Sequence, residues 1–131
     1  MRSRSRRLPL GELCRRPELQ LSIFVQDGDR FDGRPLHHEI IDRARRAGLR
    51  GATAVRGMQG FGASGKLRAS GLAGLSGHEP VLIQVTDDAA RVRAFVTEIE
   101  RLPGTGLILL QPVVTLCRVA EARDVAASVP T

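Results

Sequence analysis

Two amphipathic helical patterns, each set between β-type runs, constrain the fold of this chain more than any other feature. The first begins at Arg34-Pro35 and ends at Gly48, because proline suits the first turn of a helix and glycine suits the residue after its last turn. The second follows Thr86 and Asp87, either of which could cap it. Its apolar positions recur at helical spacing: Val92, Phe95, Val96, Ile99 and Leu102. Both patterns predict helices that bury one face.

Four β-type runs flank these helices, at residues 19–25, 52–58, 80–86 and 107–116. Residues 80–86 are almost continuously apolar, which is typical of a strand buried on both faces. Pro112 cannot donate a hydrogen bond to a neighbouring strand, so it marks an edge position or a bend. The order β-α-β, a long connection and β-α-β predicts a ferredoxin-like α+β fold, in which two helices cover one face of an antiparallel four-stranded sheet.

The second face of this sheet would carry apolar side chains without helices to cover them. Phe24 alternates with the apolar residues of the first strand, and Leu82 lies between Val81 and Ile83 in the third. Alternate residues of a strand point to opposite faces. Burial of the second face by oligomerisation is therefore the simplest prediction.

The length and the charge distribution predict one folded domain between two tails. A chain of 131 residues can bury a core without metal or disulfide support. The formal net charge of +6 comes mainly from arginines in residues 1–18, which we expect to form a basic, disordered tail. The domain is predicted over residues 19–117, and residues 118–131 form a second tail. No apolar run approaches the roughly 20 residues of a membrane span, so we expect a cytoplasmic protein.

No specific nucleic-acid partner is expected. An arginine-rich tail can contact nucleic acid electrostatically, but RNA-binding ferredoxin-like domains stack bases on aromatic residues of their central strands. The third β-type run, residues 80–86, contains no aromatic residue. A nucleic-acid-associated protein that relies on residues 1–18 stays as one alternative.

A glycine-rich, basic stretch at residues 56–66 is the strongest indication of a ligand site. Its glycines, which can turn sharply and present backbone N–H groups, are Gly57, Gly60, Gly62 and Gly65. Arg56 and Lys66 flank them, and Arg68 follows. The stretch leads into residues 59–79, where too few apolar residues are spaced regularly to predict a helix or strand, and connections of this length are often functional. We therefore predict an anion or phosphate cradle at the root of a long loop.

Three partial motifs fail to support enzymatic or metal chemistry. Residues 60–66 fit the first part of a Walker A loop, but Leu67 replaces the Ser or Thr that would hold Mg²⁺. Residues 27–33 resemble the start of a calcium loop, but Phe31 occupies a ligand position. His37 and His38 are adjacent, so they point about 100° apart on a helix and do not form a zinc pair. We expect no catalytic residue, no metal and no required cofactor.

Several short motifs, in a fixed order along the chain, resemble one protein family. They are Asp27-x-Asp29-Arg30-Phe31-x-Gly33-x-Pro35-Leu36, Ala47-Gly48-x-x-Gly51-Ala52-Thr53, Arg56-Gly57-x-x-Gly60-Phe61-Gly62-Ala63-Ser64, Leu75-Ser76 and Pro80-Val81. Across residues 19–117 the chain resembles the bacterial and archaeal family called domain of unknown function 190, which is similar to P-II nitrogen-regulatory signalling proteins.

The resemblance implies a homotrimer that binds adenine nucleotides in clefts between its subunits. In P-II-like proteins the phosphates are held by the stem of a long T-loop and by a glycine-bearing loop before the last strand. By position, residues 59–79 look like the T-loop, and Gly104-Thr105-Gly106 resembles the second phosphate loop. The T-loop would then dock onto a partner such as a membrane transporter, a channel or a metabolic enzyme.

The residues that we expect to bind a ligand come from the glycine-rich stretch and from this second loop. The candidates for phosphate binding are Arg56, Gly57, Gly60, Phe61, Gly62, Lys66, Gly104, Thr105 and Gly106, and the secondary candidates are Asp27, Asp29, Arg34 and Arg68. The chain departs from the family pattern where it has Gly28, Phe31 and Arg68. The predicted function is that of a P-II-like regulatory protein and not of an enzyme. The alternatives are a ligand-free oligomeric scaffold and a small ferredoxin-like enzyme that uses Asp29, His37 or His38.

Overall fold

The computed structural model describes residues 13–61, 67–69 and 79–118. Its main elements are the strands β1 (Leu13–Gln26), β4 (Ala52–Arg56), β7 (Pro80–Asp87) and β8 (Ile108–Arg118) and the helices α1 (Leu36–Arg46) and α2 (Ala89–Ile99). Two short hairpins complete it, β2 (Arg30–Phe31) with β3 (Arg34–Pro35), and β5 (Gln59–Phe61) with β6 (Leu67–Ala69). The predicted tails lie outside the described residues up to residue 12 and beyond residue 118.

The four long strands form one antiparallel sheet in the order β4-β7-β1-β8. Strand β1 lies between β7 and β8, with Ile23 opposite both Ile83 and Ile108. The connections through α1 and α2 make this the predicted ferredoxin-like fold, which is confirmed. Strand β8 lies at an edge of the sheet, as Pro112 predicted.

The hydrophobic core lies between the sheet and the two helices. Alternate residues of β1 and β7 face it, among them Leu21, Ile23, Ile83 and Val85. The stripes predicted for the helices meet these residues: Leu36, Ile40 and Ala44 from α1, and Val92, Phe95 and Ile99 from α2, with Leu102 just beyond. Gly48 follows α1 with φ 76°, a left-handed conformation that favours glycine and agrees with the predicted helix end.

Strand β1 begins at Leu13, well before the predicted start at residue 19. Residues 13–18, which the sequence assigns to the tail, pair with the far end of β8, and Cys14 lies opposite Cys117. The sequence did not predict this extension, because basic residues and proline are uncommon in a buried strand and the extension contains Arg15, Arg16 and Pro17. Here only β8 flanks them, since pairing with β7 begins at Leu19.

The predicted caps of α2 are wrong. Its N-cap is Asp88, which makes no side-chain capping bond, and Asp87 is the last residue of β7. The buried Asp87 carboxylate accepts hydrogen bonds from the backbone N–H of Asp88, at 2.7 Å, and of Arg50, at 3.0 Å. Arg50 also pairs its guanidinium with both Asp87 and the buried Glu18. A buried carboxylate without partners costs more free energy than an exposed helix end without a cap.

The face of the sheet away from the helices carries exposed apolar side chains, as predicted. Phe24, Val55 and Leu109 lie on this open face. Further exposed apolar residues lie in β8 and just before it: Leu107, Leu110, Val114 and Leu116. In the part of the chain that the structure describes, neither helix has the length and hydrophobicity that crossing a membrane requires.

Candidate functional site

Both ends of the 59–79 segment meet at one end of the sheet, where β1 and β4 finish and β7 begins. The N–H of Gly57 donates to the carbonyl of Pro80 at 2.7 Å. The N–H of Asp27 donates to the carbonyl of Glu79 at 2.9 Å. We call residues 56–57 and 79–80 the stem. Two backbone hydrogen bonds therefore hold the stem to itself and to the end of β1.

The side chain of Asp27 adds a third connection. Its Oδ1 lies 3.0 Å from Nη2 of Arg56, the last residue of β4. The same oxygen lies 3.9 Å from Nε2 of His37 in the first turn of α1. Burial, and then the neighbouring His38, lower the pKa of His37 below its usual value, so its ring is neutral at pH 7. Arg56 therefore supplies the positive charge beside Asp27, and Asp27 contacts both sides of the stem.

Gly57 is required for close packing and does not present an unused N–H group. A β-carbon at this position would lie 2.8 Å from Cγ of Pro80. Its N–H is already bonded to Pro80, so the predicted cradle of unoccupied amides does not apply to Gly57. Glycine positions can be read from the sequence, but only the fold shows whether a neighbouring strand fills the space left by the missing β-carbon.

The loop before β8 reaches the same end of the sheet, and its Gly106, like Gly57, packs closely against a neighbouring strand and has an occupied N–H group. Gly106 donates its N–H to the carbonyl of Phe24 at 3.1 Å, and a β-carbon there would lie 2.7 Å from that oxygen. Gly104 has φ 89°, which favours glycine, and the Thr105 hydroxyl donates to the carbonyl of Leu102 at 3.3 Å. This loop is a tight turn, and both Gly106 and Thr105 have intramolecular partners.

The remaining candidates are distributed over three places. Asp29 is structural, because its carboxylate accepts the N–H of Gln26 and its carbonyl accepts the N–H of Leu36. Arg34 pairs with Asp42 and Glu39 of α1. The backbone of the β5–β6 hairpin pairs Gly60 with Arg68 and Phe61 with Leu67, in a segment for which the sequence predicted no element. Gly62 and Lys66 lie outside the described residues.

Sequence reasoning missed two residues that build this end of the sheet and considered a third, His37, only for the enzyme alternative. Glu79 and Pro80 supply the carbonyl groups that hold Asp27 and Gly57. His37 lies against Asp27. Backbone acceptors leave no trace in a sequence, and an adjacent His pair predicted only that the two rings diverge. The signal for Pro80 was its place at the start of a strand, which did not indicate a ligand site.

Comparison with known proteins identifies the family. The family profile described as DUF190, an uncharacterised group, matches residues 18–115. A UPF0166 protein of Aquifex aeolicus (strain VF5) is 32% identical over 93 residues, which cover 71% of this chain and 88% of that protein. A UPF0166 protein of Methanocaldococcus jannaschii is 29% identical over 91 residues, covering 69% of this chain and 83% of that protein.

Solved structures of P-II-like proteins share the fold. A structure of CPII from Thiomonas intermedia K12, bound to ADP and bicarbonate, aligns with TM-score 0.59 and 18% identity over 78% of this chain and 91% of that chain. A putative PII-like signalling protein of Thermus thermophilus aligns with TM-score 0.55 and 11% identity, over 82% of this chain and 96% of that chain. At these identities the likeness establishes the fold alone. The chain belongs to the DUF190 family and has the ferredoxin-like fold of PII-like proteins.

Proposed function

We propose that this protein is a cytoplasmic P-II-like regulator that binds a nucleotide or another anionic metabolite at clefts between the subunits of a homotrimer. Binding would change the order of residues 59–79 and so change their affinity for a partner protein, such as a transporter, a channel or an enzyme. No catalytic step belongs to this proposal. An adenine nucleotide is the first ligand to test, because a structural neighbour is described as bound to ADP, AMP and bicarbonate.

The observation that carries the proposal is the convergence at the stem. Arg56 stands where the segment leaves the sheet, and Asp27 contacts Arg56 through its side chain and Glu79 through its backbone. An anion that binds Arg56 would compete with Asp27 for the guanidinium. A phosphate makes the same charge-assisted bonds to a guanidinium that a carboxylate makes, so such a ligand would replace Asp27 on Arg56 and shift the conformation of the stem.

The trimer is supported by the apolar open face. Phe24, Val55 and Leu109 are exposed in the single chain, and exposed apolar patches of this kind mark interaction surfaces. The face also supports a second candidate, an oligomeric scaffold without a small ligand. That candidate is favoured by the N–H groups of Gly57 and Gly106, which are occupied by backbone carbonyls and offer a ligand fewer donors than the sequence suggests.

Thermal melting with ATP, ADP, AMP and inorganic phosphate tests the ligand. At about 100 times Kd a ligand stabilises by roughly 2.7 kcal/mol, which is visible as a melting shift. Arg56→Gln should reduce that shift, whereas Arg93→Gln, an exposed position on α2, should not. The absence of a shift with every ligand would favour the scaffold.

The oligomeric mass tests the open face separately. Leu109→Glu places a charge on the face, and Ala94→Glu is its matched control, because Ala94 is an exposed position of α2 on the other side of the sheet. The proposal predicts that Leu109→Glu lowers the mass measured by light scattering and that Ala94→Glu does not. A monomeric mass for the unmodified protein would contradict the trimer.

A further inference from the structure

A cavity of about 310 Å³ lies between α1 and the edge strand β4, on the side of the sheet that carries the helices. Its walls include His37, His38 and Ile41 from α1 and Ala54, Val55 and Arg56 from β4. Arg34, in β3, lies at the same cavity. The volume falls at the lower end of the range for small-molecule sites, which is roughly 300–1,000 Å³.

The polar groups of this cavity are mostly hydrogen-bond donors. Arg34 and Arg56 bring two guanidinium groups, and their side chains are 51% and 63% exposed, so both are accessible from solvent. Asp42 is the acidic residue among the described lining residues, and Arg34 Nη2 lies 2.5 Å from its carboxylate. Arg34 also pairs with Glu39, but a guanidinium carries five N–H donors, so these two ion pairs leave donors for a ligand. The cavity therefore favours a group that only accepts hydrogen bonds, such as an anion.

Apolar side chains make up the rest of the wall. Ile41, Ala54 and Val81 supply these side chains. An inorganic anion would leave these groups in contact with water, whereas an apolar body would cover them at a gain of about 25 cal/mol for each Å² removed from water.

We propose that this cavity binds a small organic anion with an apolar body, such as an aromatic or branched aliphatic carboxylate. The carboxylate lies against Arg34 and Arg56, and the body packs on Ile41 and Ala54. This site goes beyond the proposed nucleotide cleft between subunits, because α1 and β4 of one chain provide these walls.

Occupancy of this cavity would reach the stem through Arg56. The guanidinium of Arg56 is the group that pairs with Asp27 at 3.0 Å, and Asp27 holds the carbonyl of Glu79 through its N–H. A carboxylate on Arg56 weakens that ion pair. The bound anion therefore loosens one of the three connections at the stem, through the same guanidinium on which the proposed nucleotide would act.

The test is a titration of the full-length protein with naphthoate, followed by the shifts of backbone amide signals in NMR spectra. We expect saturable shifts at His38, Ile41 and Val55. Inorganic phosphate carries the charge without the body, and naphthylmethanol carries the body without the charge. Each should bind at least about tenfold more weakly than naphthoate, since each lacks one of the two contributions.

Two variants on the same strand separate this cavity from the rest of the surface. Ala54→Leu fills the cavity without changing charge and should weaken naphthoate binding by at least about tenfold. Thr53→Leu adds a similar side chain on the opposite face of β4 and should leave the affinity unchanged, because Thr53 lies opposite Gln84 on the open face.

Three results would overturn the inference: no saturable binding at millimolar naphthoate, shifts centred on Phe24 and Leu109 of the open face, or equal affinity in the Ala54→Leu variant. Nucleotide-dependent melting is measured independently. Failure of the cavity proposal therefore leaves the nucleotide proposal open, and the reverse is also true.

Discussion

Replacement of Gly106 by alanine is expected to destabilise the fold through a backbone clash. The added β-carbon would lie 2.7 Å from the carbonyl oxygen of Phe24, and the obstacle is a strand and not a flexible side chain. The beginning of β8 must move away from β1. That movement weakens two hydrogen bonds, from Gly106 N–H to Phe24 at 3.1 Å and from Phe24 N–H to Leu107 at 2.9 Å.

The expected cost combines overpacking and weakened hydrogen bonds. Overpacking costs about 1–3 kcal/mol, and the two partly weakened hydrogen bonds together add up to about 1 kcal/mol. We expect a loss of about 2–3 kcal/mol in the free energy of unfolding. For a chain of this size the melting temperature falls by roughly 4 °C for each kcal/mol, so the drop should be about 8–12 °C.

Urea unfolding and thermal melting at one fixed protein concentration would measure this loss. Gly51→Ala is the matched control, because nothing lies within 4 Å of a β-carbon at Gly51, and its stability should change by less than about 0.5 kcal/mol. If Gly106→Ala melts like Gly51→Ala, then the close approach of the two strands is not what requires glycine, and the argument for Gly57 fails with it.

Three further predictions concern the charged groups. Asp87→Asn should lower the free energy of unfolding by about 2–4 kcal/mol, because it removes a buried partner of Arg50, and the exposed Asp88→Asn should have little effect in the same urea unfolding experiment. Burial and the neighbouring His38 lower the pKa of His37 in the folded protein, so the imidazole of the unfolded chain is protonated first as the pH falls. The contribution of neutral His37 to the free energy of unfolding is therefore complete above about pH 6.5 and is lost as the pH falls through that value. Melting curves should be recorded between pH 7.5 and pH 5 at intervals of about half a pH unit. As the pH drops, the melting temperature should fall less for His37→Gln than for His38→Gln, and equal falls would contradict this assignment. Asp27→Asn should change global stability by less than about 1 kcal/mol, because Arg56 is largely exposed, yet it should speed hydrogen exchange at residues that follow the stem; unchanged exchange would show that the ion pair does not hold the stem.

The sequence predicts the architecture well because periodic burial determines it. The stripes of α1 and α2 and the alternation of β1 and β7 all face one core, so local patterns and the global fold agree. Residues 13–18 are the exception. Their composition favours a tail, and their strand conformation depends on pairing with β8, which lies far away in sequence.

The candidate site is harder to predict for the same physical reason. Arg56 and Asp27 were both identified as candidates, but their ion pair depends on how β4 and β1 end at the same edge. Gly57 and Gly106 were predicted to bind phosphate, and in the structure both N–H groups donate to backbone carbonyls. Phosphate binding at these residues stays a prediction. A missing β-carbon permits either a bare amide or a tightly packed neighbour, and only three-dimensional contacts distinguish the two.

The position of Pro112 has a consequence for aggregation. Phe24 has both its N–H and its carbonyl bonded to the start of β8, so by the alternation of an antiparallel ladder the residue opposite Leu19 directs its backbone outward. That residue is Pro112, near the middle of an edge strand of 11 residues. A second chain that tried to extend the sheet along β8 would meet a missing donor and a bulky ring there. The strand can therefore offer apolar side chains to an oligomer interface while it resists the strand-by-strand growth that leads to fibrils.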